Sequence, residues 1–115
     1  MTLVQKRFAK RVADIRTIGY SATVPFHYAY AVCEHTLITN DVLIPESENV
    51  ASPSHVPSYG AIYRLIGDGA HTPTFDVLFK KSTASGDYVN TALTINLITF
   101  LFDGVDYWYS IIQPA

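Results

Sequence analysis

Histidine, cysteine and paired carboxylates are the groups through which a chain this short could do chemistry, and each is sparse here. The four histidines stand at positions 27, 35, 55 and 71. A zinc site shows in sequence as clustered donors, such as two His at i,i+2 or i,i+4 beside a carboxylate, and no two of these histidines have that spacing. His27 and His35 fall within reach of each other across a hairpin, yet exposed or structural imidazoles are the expected role. Cys33 is the only cysteine, so no disulfide can close within the chain. It lies in an aromatic run, where a thiol is expected to pack as a small hydrophobe rather than serve as a nucleophile.

Other catalytic patterns are equally thin. No Gly-x-Ser-x-Gly elbow occurs. Gly67-Asp68-Gly69 lacks the glycine spacing and the following Lys of a phosphate loop, and reads as a turn. Asp103 and Asp106 supply two carboxylates where calcium asks for six to eight oxygens, and turn chemistry already accounts for Asp103. No spacing among the ten acidic residues marks the carboxylate pair of a glycoside hydrolase. The expectation is a protein that is not an enzyme and that uses no metal and no cofactor.

Aromatic surface is the binding chemistry that remains. Aromatic residues make up 13% of the chain, with eight Tyr, six Phe and one Trp. Trp108 sits between Tyr107 and Tyr109, so in a strand it faces away from both. Exposed, it would stack on a sugar ring or fill a pocket between subunits. Tyr88, beside the polar loop 82–87, is a second candidate. With Leu97 and Leu101, these residues form the expected ligand or subunit interface.

The elements that must position them read as strands. Phe26, Tyr28, Tyr30 and Val32 alternate with smaller residues, and Thr36–Thr39 and Val42–Ile44 flank Asn40-Asp41, a tight turn or a bulge. Residues 45–58 hold three prolines and four serines and are expected to loop. Tyr59–Ile66 is a strand, and Phe75, Val77 and Phe79 alternate in another. Thr94–Phe102 and Val105–Gln113 flank Asp103-Gly104, the strongest short hairpin signal. A two-residue loop there sets Phe102 opposite Val105, Phe100 opposite Tyr107 and Ile98 opposite Tyr109 on one apolar face. The other face still carries Leu97, Leu101 and Trp108, and a sheet apolar on both sides needs a second cover. Seven or eight strands without a helix predict an all-β chain, an antiparallel β-sandwich or jelly roll.

Charge is scarce and unevenly placed. Charged residues are 16% of the chain, against roughly 25% in ordinary soluble domains, which excludes intrinsic disorder and long coiled coils. Residues 1–16 carry five basic groups and one acid, whereas the rest carries three basic groups and nine acids. An extended basic arm over residues 1–10, with Lys6, Arg7, Lys10 and Arg11 as attachment residues, therefore precedes a single β domain over residues 11–115. No basic stripe tracks a phosphate backbone along the acidic body, so nucleic acid is not an expected partner. Leu97–Phe102, the longest apolar run near the end, is far short of the ~20 residues of a membrane span, and no secretory signal is expected.

The order of these features resembles the small β-domains of tailed-bacteriophage virion proteins. The matching residues are Lys10-Arg11-Val12, Ser21-Ala22-Thr23-Val24-Pro25, Tyr59-Gly60-Ala61-Ile62-Tyr63-Arg64-Leu65 and Gly67-Asp68-Gly69-x-x-Thr72-Pro73-Thr74-Phe75. The run Asn96-Leu97-Ile98-Thr99-Phe100-Leu101-Phe102-Asp103-Gly104-x-x-Tyr107-Trp108 completes them, so the likeness covers most of residues 10–112. The resemblance implies a non-enzymatic β-sandwich, commonly a homotrimer, built into a virion as a capsid decoration, head-fibre or tail-fibre module. Met1, the basic arm and the lack of a repetitive stalk point to a stand-alone component. Its implied partners are copies of itself, other virion proteins and, for a fibre tip, a host glycan.

Overall fold

The computed structural model describes residues 15–26, 30–36, 39–45 and 59–114. The arm residues Lys6, Arg7, Lys10 and Arg11, and most of the Pro/Ser-rich loop, lie outside the described residues. Those described form strands and no helix: β1 (Ile15–Ile18), β2 (Thr23–Val24), β3 (Tyr30–Thr36), β4 (Val42–Pro45), β5 (Tyr59–Ile66), β6 (Thr74–Phe75), β7 (Phe79–Lys81), β8 (Ile95–Phe102) and β9 (Tyr107–Ile112). A large sheet has the order β1-β3-β5-β8-β9-β7, and a small one the order β2-β4-β6.

The expectation of antiparallel pairing holds only in the last part of the chain. β5 pairs antiparallel with β8, and β8 with β9. The other pairings, β1 with β3, β3 with β5, β2 with β4, β4 with β6 and β7 with β9, are parallel. From β1 to β6 the chain alternates between the two sheets, so each return to a sheet runs in the same direction as the last. Parallel neighbours need such long crossovers; a strand in the opposite sheet supplies each one as far as β6, whereas β8 of the same sheet connects β7 to β9. Asn40-Asp41, expected as a tight turn or a bulge, is one of the crossings between sheets. Asn40 Oδ1 accepts from the Thr72 amide at 3.0 Å, and the Asp41 carbonyl accepts from the Thr74 amide at 2.9 Å.

A second crossing splits the strand expected around Phe75, Val77 and Phe79. The Asp76 carboxylate accepts from the Leu78 amide, and the Asp76 carbonyl from the Phe79 amide, each at 2.9 Å. This turn carries the chain from β6 in the small sheet to β7 in the large one. Val77, expected to share a face with the two phenylalanines, is 91% exposed at its tip.

The β8–β9 hairpin forms with its register displaced by two residues. Phe102 pairs with Tyr107, Phe100 with Tyr109 and Ile98 with Ile111. Asp103 fixes the turn: its amide donates to the Asp106 carbonyl at 3.1 Å, while its Oδ1 accepts from the amides of Val105 and Asp106 at 2.7 and 2.6 Å. Only Gly104 takes a positive φ there, 98°, as the first of two central turn residues, with Val105 as the second. A slip of two residues preserves the side-chain faces, whereas a slip of one would invert them.

The inner face of the large sheet and the small sheet share one core. Cys33, Ala61, Tyr63, Leu65, Ile98 and Phe100 of the former, with Val24 and Leu43 of the latter, are fully buried. Phe100 lies 5.0 Å from Phe79, 5.2 Å from Tyr63 and 6.1 Å from Phe75 between ring centroids, so one ring touches both layers. The Tyr63 hydroxyl donates to the Ser21 carbonyl at 2.7 Å. Buried Asn96 accepts from the Val89 amide and donates to the Val89 carbonyl, both at 2.9 Å, which ties the segment before β8 to the core. At the end of β5, a Cβ on Gly67 would lie 2.3 Å from the Thr91 carbonyl oxygen, so the close backbone approach demands glycine.

Phe100→Ala is expected to lower unfolding free energy by about 3–5 kcal/mol in denaturant melts, whereas Val105→Ser at the exposed turn should change it by less than about 0.5 kcal/mol. Equal effects would contradict this assignment of the core.

Candidate functional site

Residues that alternate with the core fall on the outer face of the large sheet. The register places Val32, Ile62, Thr99 and Ser110 in one row across β3, β5, β8 and β9. The next rows hold Glu34, Arg64, Leu97 and Ile112 on one side, and Gly60, Leu101, Trp108 and Lys80 on the other. Three of the four expected interface residues, Leu97, Leu101 and Trp108, thus share this face. Each is half-buried, and Ile112 at its margin is 54% exposed. Arg64 and Glu34 form an ion pair at 2.6 Å within the same face.

Trp108 is oriented by two neighbouring polar side chains. Its Nε1 donates to Asp103 Oδ2 at 2.8 Å, so the carboxylate that shapes the hairpin turn also orients the indole. Lys80 Nζ lies 5.9 Å from the ring centroid and pairs with Asp106 at 3.1 Å. Hydrogen bonds from the Asp106 amide, the Trp108 indole and the Val105 amide hold the Asp103 carboxyl below its ordinary range. Beside the indole is a groove of about 260 Å³ lined by Ser82, Thr99, Leu101, Trp108, Tyr109 and Ser110.

The fourth candidate, Tyr88, lies elsewhere. It packs against the core and lines a separate cleft of about 350 Å³, with Thr72, Phe75, Lys81, Asp87 and Tyr109 among its neighbours. Its hydroxyl is buried and has no hydrogen-bond partner among the described residues; burial raises its pKa, helped by the Asp68 charge. Lys81 Nζ and Asp87 Oδ1 pair at 2.5 Å in this cleft. The sequence pointed to Tyr88 through the polar loop beside it, but Lys81, Asp87 and Thr72 carried no mark of their own. They converge only once β6, β7 and β9 are in place.

The groups first considered for catalysis have structural partners. Burial pushes the Cys33 thiol up to about 11, against a smaller opposing effect of a hydrogen bond with the Ser21 backbone. Asp68 caps its own turn, accepting from the amides of Ala70 and His71 at 2.9 Å and from the His71 ring. The Ala70 amide, the His71 ring and the His71 amide bring its carboxyl down to about 2. His27 and His55 lie outside the described residues, and of His35 only the backbone is described. Among the described residues no three or more His, Cys, Asp or Glu gather where they could hold a metal ion, and no helix is long and apolar enough to cross a membrane. No protein-family model, curated protein or solved structure matches this chain.

Since ionised Asp103 is the form that accepts the indole hydrogen bond, this contact persists below the ordinary aspartate value of about 3.9 and is lost only as pH falls through the lowered value. Emission from Trp108, the only tryptophan, should stay constant from neutral pH through the ordinary aspartate range and change only below it. Asp103→Ala should produce that change at neutral pH; an unaltered spectrum would dissociate Asp103 from the indole.

Proposed function

We propose that this chain is a non-enzymatic structural subunit of a tailed-phage particle. In this reading it is a two-layer β-sandwich that assembles as a homotrimer through the outer face of its large sheet, and its basic N-terminal arm attaches it to an acidic virion surface. The observation that carries the reading is the row of Leu101 and Trp108 and that of Leu97 and Ile112, which flank the Thr99–Ser110 row on one face. These apolar side chains lie on regularly paired strands and remain partly open to water in the isolated chain.

Two features favour a protein surface as their cover. Tryptophan concentrates at the centres of subunit interfaces, and one pre-oriented by a hydrogen bond and a nearby cation loses little freedom when a partner closes on it. The Arg64–Glu34 pair sits among apolar neighbours, where a charged pair can set the orientation of a symmetric contact. Assembly as three copies, and the virion as its setting, follow from the resemblance read in the sequence. The charge contrast between residues 1–16 and the rest supports attachment through Lys6, Arg7, Lys10 and Arg11.

Light scattering on the full chain should give three times 12.8 kDa. Leu101→Lys should yield a folded monomer, because a charge at the contact centre must be desolvated without a partner. Removal of residues 1–10 should leave the trimer intact and abolish its binding to the particle. A full chain that stays monomeric at high micromolar concentration would contradict the proposal.

A further inference from the structure

The cleft beside Tyr88 lies on the core side of the large sheet, away from Trp108, between edge strand β6 of the small sheet and the segment that follows β7. Its apolar wall is fixed. Phe75 and Tyr109 stack with centroids 3.8 Å apart and planes within 8° of parallel. Its polar wall is fixed as well, because residues 82–87 are tied along β9. The Ser82 amide donates to the Tyr109 carbonyl and the Gly86 amide to the Ile111 carbonyl, each at 2.9 Å. The Ile111 amide donates to Ser85 Oγ at 2.9 Å, and Gln113 Nε2 to the Asp87 carbonyl at 2.8 Å.

We propose that this cleft binds a neutral saccharide, taking a single pyranose ring. Ligand pockets run from roughly 300 to 1,000 Å³, so about 350 Å³ suits one ring and not an oligomer within the walls. A pyranose has an apolar C–H face and a rim of hydroxyls that each donate and accept. The cleft offers the complement: aromatic wall on one side, and on the other an ammonium that only donates beside a carboxylate that only accepts. Vicinal hydroxyls can bridge Lys81 and Asp87 without separating them. An ionic ligand would have to break that pair, since the two charges cancel. Thr72 adds a hydroxyl to the same lining, and the Tyr88 ring adds to its aromatic wall with its own hydroxyl buried. Trp108, the sugar platform suggested by sequence, is the poorer candidate because Lys80 lies over its ring and its Nε1 is already engaged.

The test is amide NMR on the full chain, titrated to millimolar levels with the methyl glycosides of glucose, galactose, mannose, N-acetylglucosamine and N-acetylgalactosamine. N-Acetylneuraminic acid serves as the anionic counterpart. At least one neutral glycoside should shift the amides of Thr72, Thr74, Phe75, residues 81–88 and Tyr109. Lys81→Met and Asp87→Asn, both at exposed positions, should weaken that binding roughly tenfold or more while the other amides stay in place. Trp108→Ala should leave it unchanged. The proposal is overturned if no neutral glycoside binds, if shifts centre on Trp108, if the anionic sugar binds more tightly, or if both cleft variants bind as the parent does. The oligomer measurement is independent of all these outcomes, so a trimer without sugar binding removes this inference alone.

Discussion

Phe100 sits where the two layers meet, and the register that places it there constrains everything else along the last two strands. Opposite Ala61 on β5 and Tyr109 on β9, its ring reaches Phe75 in the small sheet and Phe79 in the large one. With Phe100 inward, Leu101 must point outward, and the same parity sends Trp108, Ser110 and Ile112 to the outer face. Side chains in a strand cannot be redistributed one at a time. A tightly packed interior on one side therefore leaves the chain with a second apolar surface on the other.

The path of the chain reinforces this division. Two of the described passages between sheets are held by a short polar side chain that replaces regular pairing: Asn40 at one crossing and Asp76 at another. Asp103 does the same at the hairpin tip and also orients the indole. The connections thus use the hydrogen-bonding capacity that the layers between them lack. Among the described carboxylates, Asp68, Asp76 and Asp103 accept from amides of their own turns, and the charges on the outer face of the large sheet include Arg64, Glu34 and Lys80.

Much of this was legible from residue patterns where local chemistry decides the outcome. Tyr59–Ile66 reads as a strand and forms β5, and the division of β8 and β9 into a core face and a Leu97/Leu101/Trp108 face follows from period-two alternation. Partner choice was not legible, because alternation looks the same in parallel and antiparallel pairs. The hairpin register escaped because the Asp103 carboxylate, rather than a two-residue Asp-Gly loop, sets the turn. Thr74–Lys80 read as one strand since Asp76 sits at a polar position in the alternation, where nothing distinguishes a solvent-facing residue from one that turns the chain. The Lys81–Asp87 cleft was invisible for a different reason: it is assembled from strands of both sheets, and neither residue belongs to a motif.

Whether another copy covers the outer face is the claim on which the functional account rests, and Trp108 reports on it directly as the only tryptophan. Acrylamide quenching of its emission should be weak in the concentrated full-length protein and rise sharply on dilution through the dissociation range. Strong quenching that is the same at every concentration would mean that the indole meets solvent in the native protein, and that no partner copy lies over it.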